Sequence, residues 1–313
     1  LSIKDYIHNI YYKSVYNVVN LLKKKVSEWD KVIMLSHTHG QPAVPTTFGK
    51  EIKVFYYRII KQYNLLKKIK FYTKFGGAVG NFNAHKCAYP DTDWNDFGSK
   101  FVASLGLHRS RYTTQIDNYE NLSVIFDNIK RINTILVDLC RDIWHYISIE
   151  YLQQKINKDE VGSSTMPHKI NPIQFENAEG NLMLSISMFE FLSRKLPISR
   201  LQRDLTDSTV LRNLGIVFGY TEIAYDNIIT GLAKIDINQS VINDDLDKNV
   251  VVITEGIQTV LRKHGDKTAY DKLKEFSRNH NNITMTDIKN FIQTLEINDE
   301  IKTELLKIDI RNY

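Results

Sequence analysis

Between residues 122 and 147, apolar side chains recur at alternating three- and four-residue steps: Leu122, Ile125, Ile129, Ile132, Leu136, Leu139, Ile143 and Ile147, with only the last step irregular. Asp127, Lys130, Arg131, Asp138 and Arg141 fall between them. A stripe held near a period of 3.5 over about three heptads needs long partner helices to cover it. The chain is therefore expected to be all-α, built as a long-helix bundle.

The prolines mark where helices break. Pro42, Pro45, Pro90, Pro167, Pro172 and Pro197 each sit near a Gly, His or Asn cluster, and none follows Pro197. Proline lacks the backbone donor and clashes with the preceding helical turn. Helices are predicted near 5–29, 46–71, 91–105, 172–195 and 207–234. Shorter amphipathic pieces follow at 250–264, 268–279 and 286–295. Alternating patterns are weak and no Asn-Gly or Asp-Gly hairpin turn occurs, so strands are not expected. The 313 residues suit two domains. We assign 1–234, including a loop at 155–172, to a central bundle domain and 235–313 to a smaller helical C-terminal domain.

Charge and cysteine content narrow the function classes. Lys and Arg total 41 against 36 Asp and Glu, a net +5. That suits a small anionic substrate and falls short of a nucleic-acid-binding signature. No apolar run approaches the roughly 18 residues of a membrane span. Neither nucleic acid nor membrane is an expected partner. Cys87 and Cys140 are the only cysteines, too few for a disulfide framework or a Cys-based zinc site. A reducing, cytoplasmic setting follows. The chain opens at Leu1 without an initiator Met, which reads as a start partway through a gene product.

Chemistry-bearing residues collect at the breaks. Ser36-His37-Thr38-His39-Gly40-Gln41-Pro42 places a His where the backbone is freely shaped, suited to general acid or base work near neutral pH. Gly76-Gly77-Ala78-Val79-Gly80-Asn81 serves either tight packing or ligand contact and is no Walker loop, because no Gly-Lys-Ser/Thr follows. The richest run is Gly162-Ser163-Ser164-Thr165-Met166-Pro167-His168-Lys169-Ile170-Asn171-Pro172, continuing to Glu176-Asn177, with Gly162 as its hinge and Pro172 at a helix start. A serine acts as a base only where its oxyanion is stabilised, which Lys169 and helix-terminal amides can do. In Arg203-Asp204-Leu205-Thr206-Asp207-Ser208-Thr209-Val210-Leu211-Arg212, Asp207 or Ser208 is expected to cap a helix, placing Ser208 and Arg212 on one face as a phosphate or carboxylate site.

The 162–172 run resembles the signature loop of the fumarase/aspartase superfamily, and His168 after the Met-Pro pair resembles its adenylosuccinate lyase family. Thr38-His39-Gly40-Gln41-Pro42 and the 203–212 run are similar to the bacterial-type subgroup of that family. The likeness covers essentially the whole chain. It implies β-elimination of fumarate from adenylosuccinate to give AMP, and from the succinyl-carboxamide ribotide of purine synthesis, with no cofactor and no metal. It assigns His39 as the acid that protonates the leaving nitrogen and Ser163 as the base, with Ser164 its alternative. Lys169 would stabilise the carbanion. Thr38, Gln115, Asn171, Asn177, Arg203, Ser208, Thr209 and Arg212 would bind the anionic nucleotide substrate. The family also implies a homotetramer with sites shared between subunits. An N-terminal helical domain of the family is missing here, and the chain reads as a fragment that stops shortly before the usual C-terminus. Competing readings are another superfamily lyase, such as one acting on argininosuccinate, a silent structural protein on the lyase fold, and a nucleic-acid-binding helical module.

Overall fold

A computed structural model describes residues 1–155, 166, 169–278 and 283–313. Helices dominate. α1 (Ser2–Tyr6) runs through a π-turn at Ile7–Tyr11 into α2 (Tyr12–Glu28), followed by β1 (Ile33–Thr38), β2 (Gln41–Thr47) and α3 (Phe48–Leu66). Next come β3 (Tyr72–Lys74), α4 (Asn83–Ala88), α5 (Trp94–Ser104), β4 (His108–Ser110) and the long α6 (Glu120–Ser148). After β5 (Leu152–Gln154) the chain forms α7 (Ile173–Lys195), α8 (Thr206–Leu211), α9 (Leu214–Ala233) and β6 (Ile235–Ile237). It ends in α10 (Gln239–Lys248), α11 (Thr254–Lys263), α12 (Ala269–Arg278), α13 (Met285–Thr294) and α14 (Asp299–Leu306). Two compact units emerge, one of Leu1–Lys23, Val54–Ile147 and Gln154–Ile235, the other of Lys24–Lys53, Ser148–Gln153 and Asp236–Tyr313.

In the first unit α6 is the spine. Six of its eight stripe residues, Ile125 through Ile143, are buried, and Leu122 and Ile147 at the ends are half-buried. Phe126, Ile135 and Cys140 are buried too, so the enclosed face is broader than a two-helix seam requires. α7 and α9 pack closely because Gly231 carries no side chain: a Cβ there would stand 2.7 Å from the Phe175 ring. A polar layer crosses this core. Asn133 Nδ2 donates to Ser185 Oγ at 3.1 Å and to Thr221 Oγ1 at 3.2 Å, while the Tyr225 hydroxyl donates to Asn133 Oδ1 at 2.7 Å. Tyr225 and Tyr11 hydroxyls lie 3.1 Å apart. Each of these five side chains is thereby paired, which removes the penalty of burying it alone.

The stretch expected as one helix over 207–234 is two. Asn213 and Gly215, both weak helix formers, stand at the junction of α8 and α9, and the Asn213 side chain donates to the Val210 carbonyl at 3.4 Å, competing with the helical ladder.

The second unit holds a feature the sequence pattern misses. β1 and β2 form an antiparallel hairpin in which Thr38 faces Gln41, leaving His39-Gly40 as a two-residue turn. Both turn residues have positive φ, 55° and 73°, the signature of a type I′ turn. Asn-Gly is the common solution, but His also tolerates the left-handed region. Pro42 and Pro45 lie on β2, tolerated because that strand has no second neighbour among the described residues. Met34 and Leu35 of β1 are buried, and α10 packs against that strand. Among the closing helices, α13 opens with a capping box: Thr284 accepts from the Asp287 amide, and Asp287 accepts from the Thr284 amide.

Candidate active site

The first unit brings together two of the segments singled out in the sequence. The Gln115 amide donates to the Gln202 carbonyl at 3.2 Å, joining the 113–119 segment to the turn before Arg203. Arg203 Nη2 donates to Ser208 Oγ at 3.3 Å. Gln115, Arg203, Thr209 and Arg212 are exposed and Ser208 is half-buried. A guanidinium beside a hydroxyl on an open surface offers charge-assisted donors to an anion. Thr209 Oγ1 instead donates to the Leu205 carbonyl at 3.3 Å.

The predicted cap is corrected. α8 begins at Thr206, and neither Asp207 nor Ser208 caps it. Asp204 does the nearest work, with Oδ1 accepting the Thr206 amide at 2.8 Å and the Thr206 hydroxyl at 2.5 Å. Those bonds, the hydroxyl first, hold the Asp204 carboxyl below its usual range. Asp207 faces inward and is 5% exposed. Its Oδ2 accepts the Tyr119 hydroxyl at 2.9 Å, and burial, then this bond, pushes the Tyr119 phenol well up. α8 is six residues long, so the donors displayed here are those of its side chains rather than of a helix end.

The glycine cluster is a packing device. Gly80 has φ 85°, and a Cβ on it would come within 2.1 Å of the Thr113 carbonyl oxygen. The loop can therefore press against the segment that carries Gln115 only because that position has no side chain.

Lys169 and Asn177 are exposed and Asn171 is half-buried. The Lys169 amide donates to the Met166 carbonyl at 3.0 Å. Asn177 Oδ1 accepts from Asn181 one turn on at 2.8 Å. Pro172 stands immediately before α7 as its N-cap rather than within it. Ser163, Ser164 and His168 lie outside the described residues, as does Gly162.

Thr38 and His39 belong to the second unit and are exposed at the hairpin tip. Among the described residues the His39 ring makes no hydrogen bond, whereas its neighbour His37 has Nε2 3.9 Å from Asp245 Oδ2 and packs edge-on against Tyr151. The hairpin therefore holds one histidine inward and displays the other.

Sequence reasoning passes over Tyr119 and Asp117. A tyrosine outside any motif carries no local signal, and only its left-handed φ of 61° makes it conspicuous. Among the described residues no helix is long and apolar enough to cross a membrane.

Comparison with known proteins adds the following. A family profile described as lyase matches residues 1–185, and one described as adenylosuccinate lyase C-terminal matches 199–313. The chain is 52% identical over 302 residues to an adenylosuccinate lyase of Dictyostelium discoideum, covering 95% of this chain and 65% of that protein. It is 45% identical over 313 residues to one of Buchnera aphidicola from Acyrthosiphon pisum, covering 100% and 68%. The Escherichia coli K12 protein of the same name is 46% identical over 296 residues, covering 95% and 65%. The chain thus spans 65 to 68% of the length of these relatives. A crystal structure of class II fumarase from Schistosoma mansoni aligns with TM-score 0.69 at 19% identity, covering 98% of this chain and 67% of that one, which shows that the two share a helical fold.

Proposed function

Because the chain belongs to the adenylosuccinate lyase family, we propose that the complete protein eliminates fumarate from adenylosuccinate, leaving AMP, and acts likewise on the succinyl-carboxamide ribotide. Ser163, with Ser164 as alternative, takes the Cβ proton as its alkoxide. The electron pair left behind forms the C=C bond of fumarate as the C–N bond breaks, and His39 delivers a proton to the departing nitrogen. Lys169 supplies positive field to the carbanion next to the substrate carboxylate. Arg203, Ser208 and Arg212 grip the phosphate, while Thr38, Gln115, Asn171, Asn177 and Thr209 orient the remaining polar groups. No cofactor takes part.

The likeness to relatives curated under that name, sustained along the chain, carries this reading. The displayed His39 and the open Arg203–Ser208 pair support it.

We further propose a homotetramer with sites shared between subunits, in the cytoplasm. Helices α7 and α9 carry apolar residues away from the core as well as toward it. Leu184 and Phe191, and likewise Ile216 and Ile223, are exposed and seven residues apart, so each pair falls on one outward face. An apolar outward face in addition to the inward one suits a second layer of packing, and further copies of the bundle would provide it.

The test is fumarate release followed by ultraviolet absorbance when the complete protein meets adenylosuccinate, with argininosuccinate as the control substrate. Fumarate together with AMP is expected from the first alone. Fumarate from argininosuccinate and none from adenylosuccinate would overturn the assignment.

A further inference from the structure

Two costly features meet in one hydrogen bond beside the Arg203–Ser208 pair. Asp207 is a buried carboxylate, and among the described residues no Lys or Arg pairs with it. Its oxygens accept hydroxyls instead, Oδ2 from Tyr119 at 2.9 Å and Oδ1 from Ser208 at 3.4 Å, the outer edge of hydrogen-bonding range. Burying a carboxylate is costly unless such donors satisfy it. Tyr119 has φ 61°, a conformation that costs a non-glycine residue about 1–3 kcal/mol and persists only when its surroundings impose it. Its amide is held by Asp117 Oδ2 at 3.1 Å, and Asp117 Oδ1 takes the Ser110 hydroxyl at 2.7 Å. The strained tyrosine thus reaches from the segment that carries Gln115 to the carboxylate next to Ser208.

We propose that Tyr119 and Asp207 are positioning residues for the anion clamp, an inference that rests on the nucleotide reading above. With no anion bound, Ser208 donates its proton to Asp207 and accepts from Arg203. When a phosphate arrives, Ser208 turns its proton to the phosphate. Asp207 tolerates that loss because the Tyr119 hydroxyl still satisfies it. Removing the Tyr119 hydroxyl leaves Ser208 as the donor among the described residues that Asp207 retains, and the carboxylate then competes with the phosphate for it.

The experiment is calorimetric titration of the complete protein with AMP, inorganic phosphate and adenosine, beside steady-state kinetics, for wild type, Tyr119→Phe, Ser208→Ala and the double variant. Tyr119→Phe is expected to weaken AMP and phosphate binding and raise KM by about tenfold, the effect of one hydrogen bond of about 1.4 kcal/mol. Adenosine affinity and kcat should stay within about twofold. The double variant should bind AMP no worse than the poorer single variant, since Tyr119 acts through Ser208. Equal losses for adenosine and AMP, or additive losses in the double variant, would overturn the proposal. Should Tyr119→Phe unfold, Asp207→Asn tests the same competition from the other side: a neutral amide draws the Ser208 proton less than a carboxylate does, so AMP and phosphate affinity should hold or rise while adenosine affinity is unchanged, and an AMP-selective loss in that variant would overturn the proposal. Binding needs no turnover, so the two readings fail separately. A wild type that binds AMP through Tyr119 yet releases no fumarate removes only the reaction. One that turns over while Tyr119→Phe leaves AMP affinity intact removes only this pair's role.

Discussion

Gly80 and Gly77 lie in one loop and share a positive φ, 85° and 76°, yet alanine should affect them very differently. At either position a Cβ in the left-handed region costs about 1–2 kcal/mol. At Gly77 little is added, because the new carbon stands 3.4 Å from the His85 ring, an ordinary contact with a side chain that can give. At Gly80 it would stand 2.1 Å from the Thr113 carbonyl oxygen and 3.0 Å from its carbon. The obstacle is backbone, so no rotamer change relieves it, and one of the two segments must shift by about an ångström. Overpacking of this kind costs about 1–3 kcal/mol. Gly77→Ala is therefore expected to lose about 1–2 kcal/mol of unfolding free energy and Gly80→Ala about 2–5 kcal/mol. Urea unfolding at unchanged m-value measures both. Thr113 is two residues from Gln115, so Gly80→Ala should also raise KM for adenylosuccinate while Gly77→Ala leaves it near wild type. Equal stabilities for the two variants, or Gly80→Ala within 0.5 kcal/mol of wild type, would refute the packing argument.

Chemistry and pH supply the other predictions. Ser163→Ala in the complete protein should abolish fumarate release while AMP still binds by calorimetry; undiminished turnover would move the base role to Ser164 or His168. His39→Gln should slow C–N cleavage severely, and near-normal single-turnover rates at neutral pH would dismiss it as the acid. Lys169→Met should lower kcat on the order of 100-fold, about 2.7 kcal/mol, the scale of losing one preorganised electrostatic group; unchanged kcat would take Lys169 out of the reaction. Burial holds the Tyr11 and Tyr225 phenols above their ordinary value of 10.0. The folded state therefore keeps both neutral where the unfolded chain ionises. Stability is complete below about pH 10 and should fall above it by about 1.4 kcal/mol per pH unit for each tyrosine. Unfolding free energies that stay level from pH 9 to 11.5 would contradict this.

How much of the molecule can be read from its sequence depends on whether a contact is local. The α6 stripe is legible because one face of one helix repeats through consecutive heptads, and its burial from Ile125 to Ile143 follows. The hairpin is not legible. Its turn is His39-Gly40 rather than Asn-Gly, and Pro42 and Pro45, which read as breaks, are compatible with a strand paired on one side among the described residues. The 203–212 run singles out Arg203 and Ser208, and the structure joins the two by a hydrogen bond of 3.3 Å. It misplaces the cap because Asp204 reaches the Thr206 amide from two residues back, a local bond that outcompetes the one expected of Asp207. What then occupies Asp207 is Tyr119, 88 residues away, a pairing that no periodicity encodes. The glycine cluster leaves packing and ligand contact open until Thr113 is seen against Gly80. The same distinction explains α7 and α9, whose extents are legible while their polar layer is not. Ser185 and Thr221 read as ordinary polar residues until Asn133 is found bonded to both. Between helices apolar on several faces, neighbouring registers differ little in buried area. A three-way polar match is satisfied at one register and leaves buried groups unpaired at the others, at about 1–3 kcal/mol each. That layer fixes how α7 and α9 slide along α6, and so where α8 carries Arg203's partner Ser208.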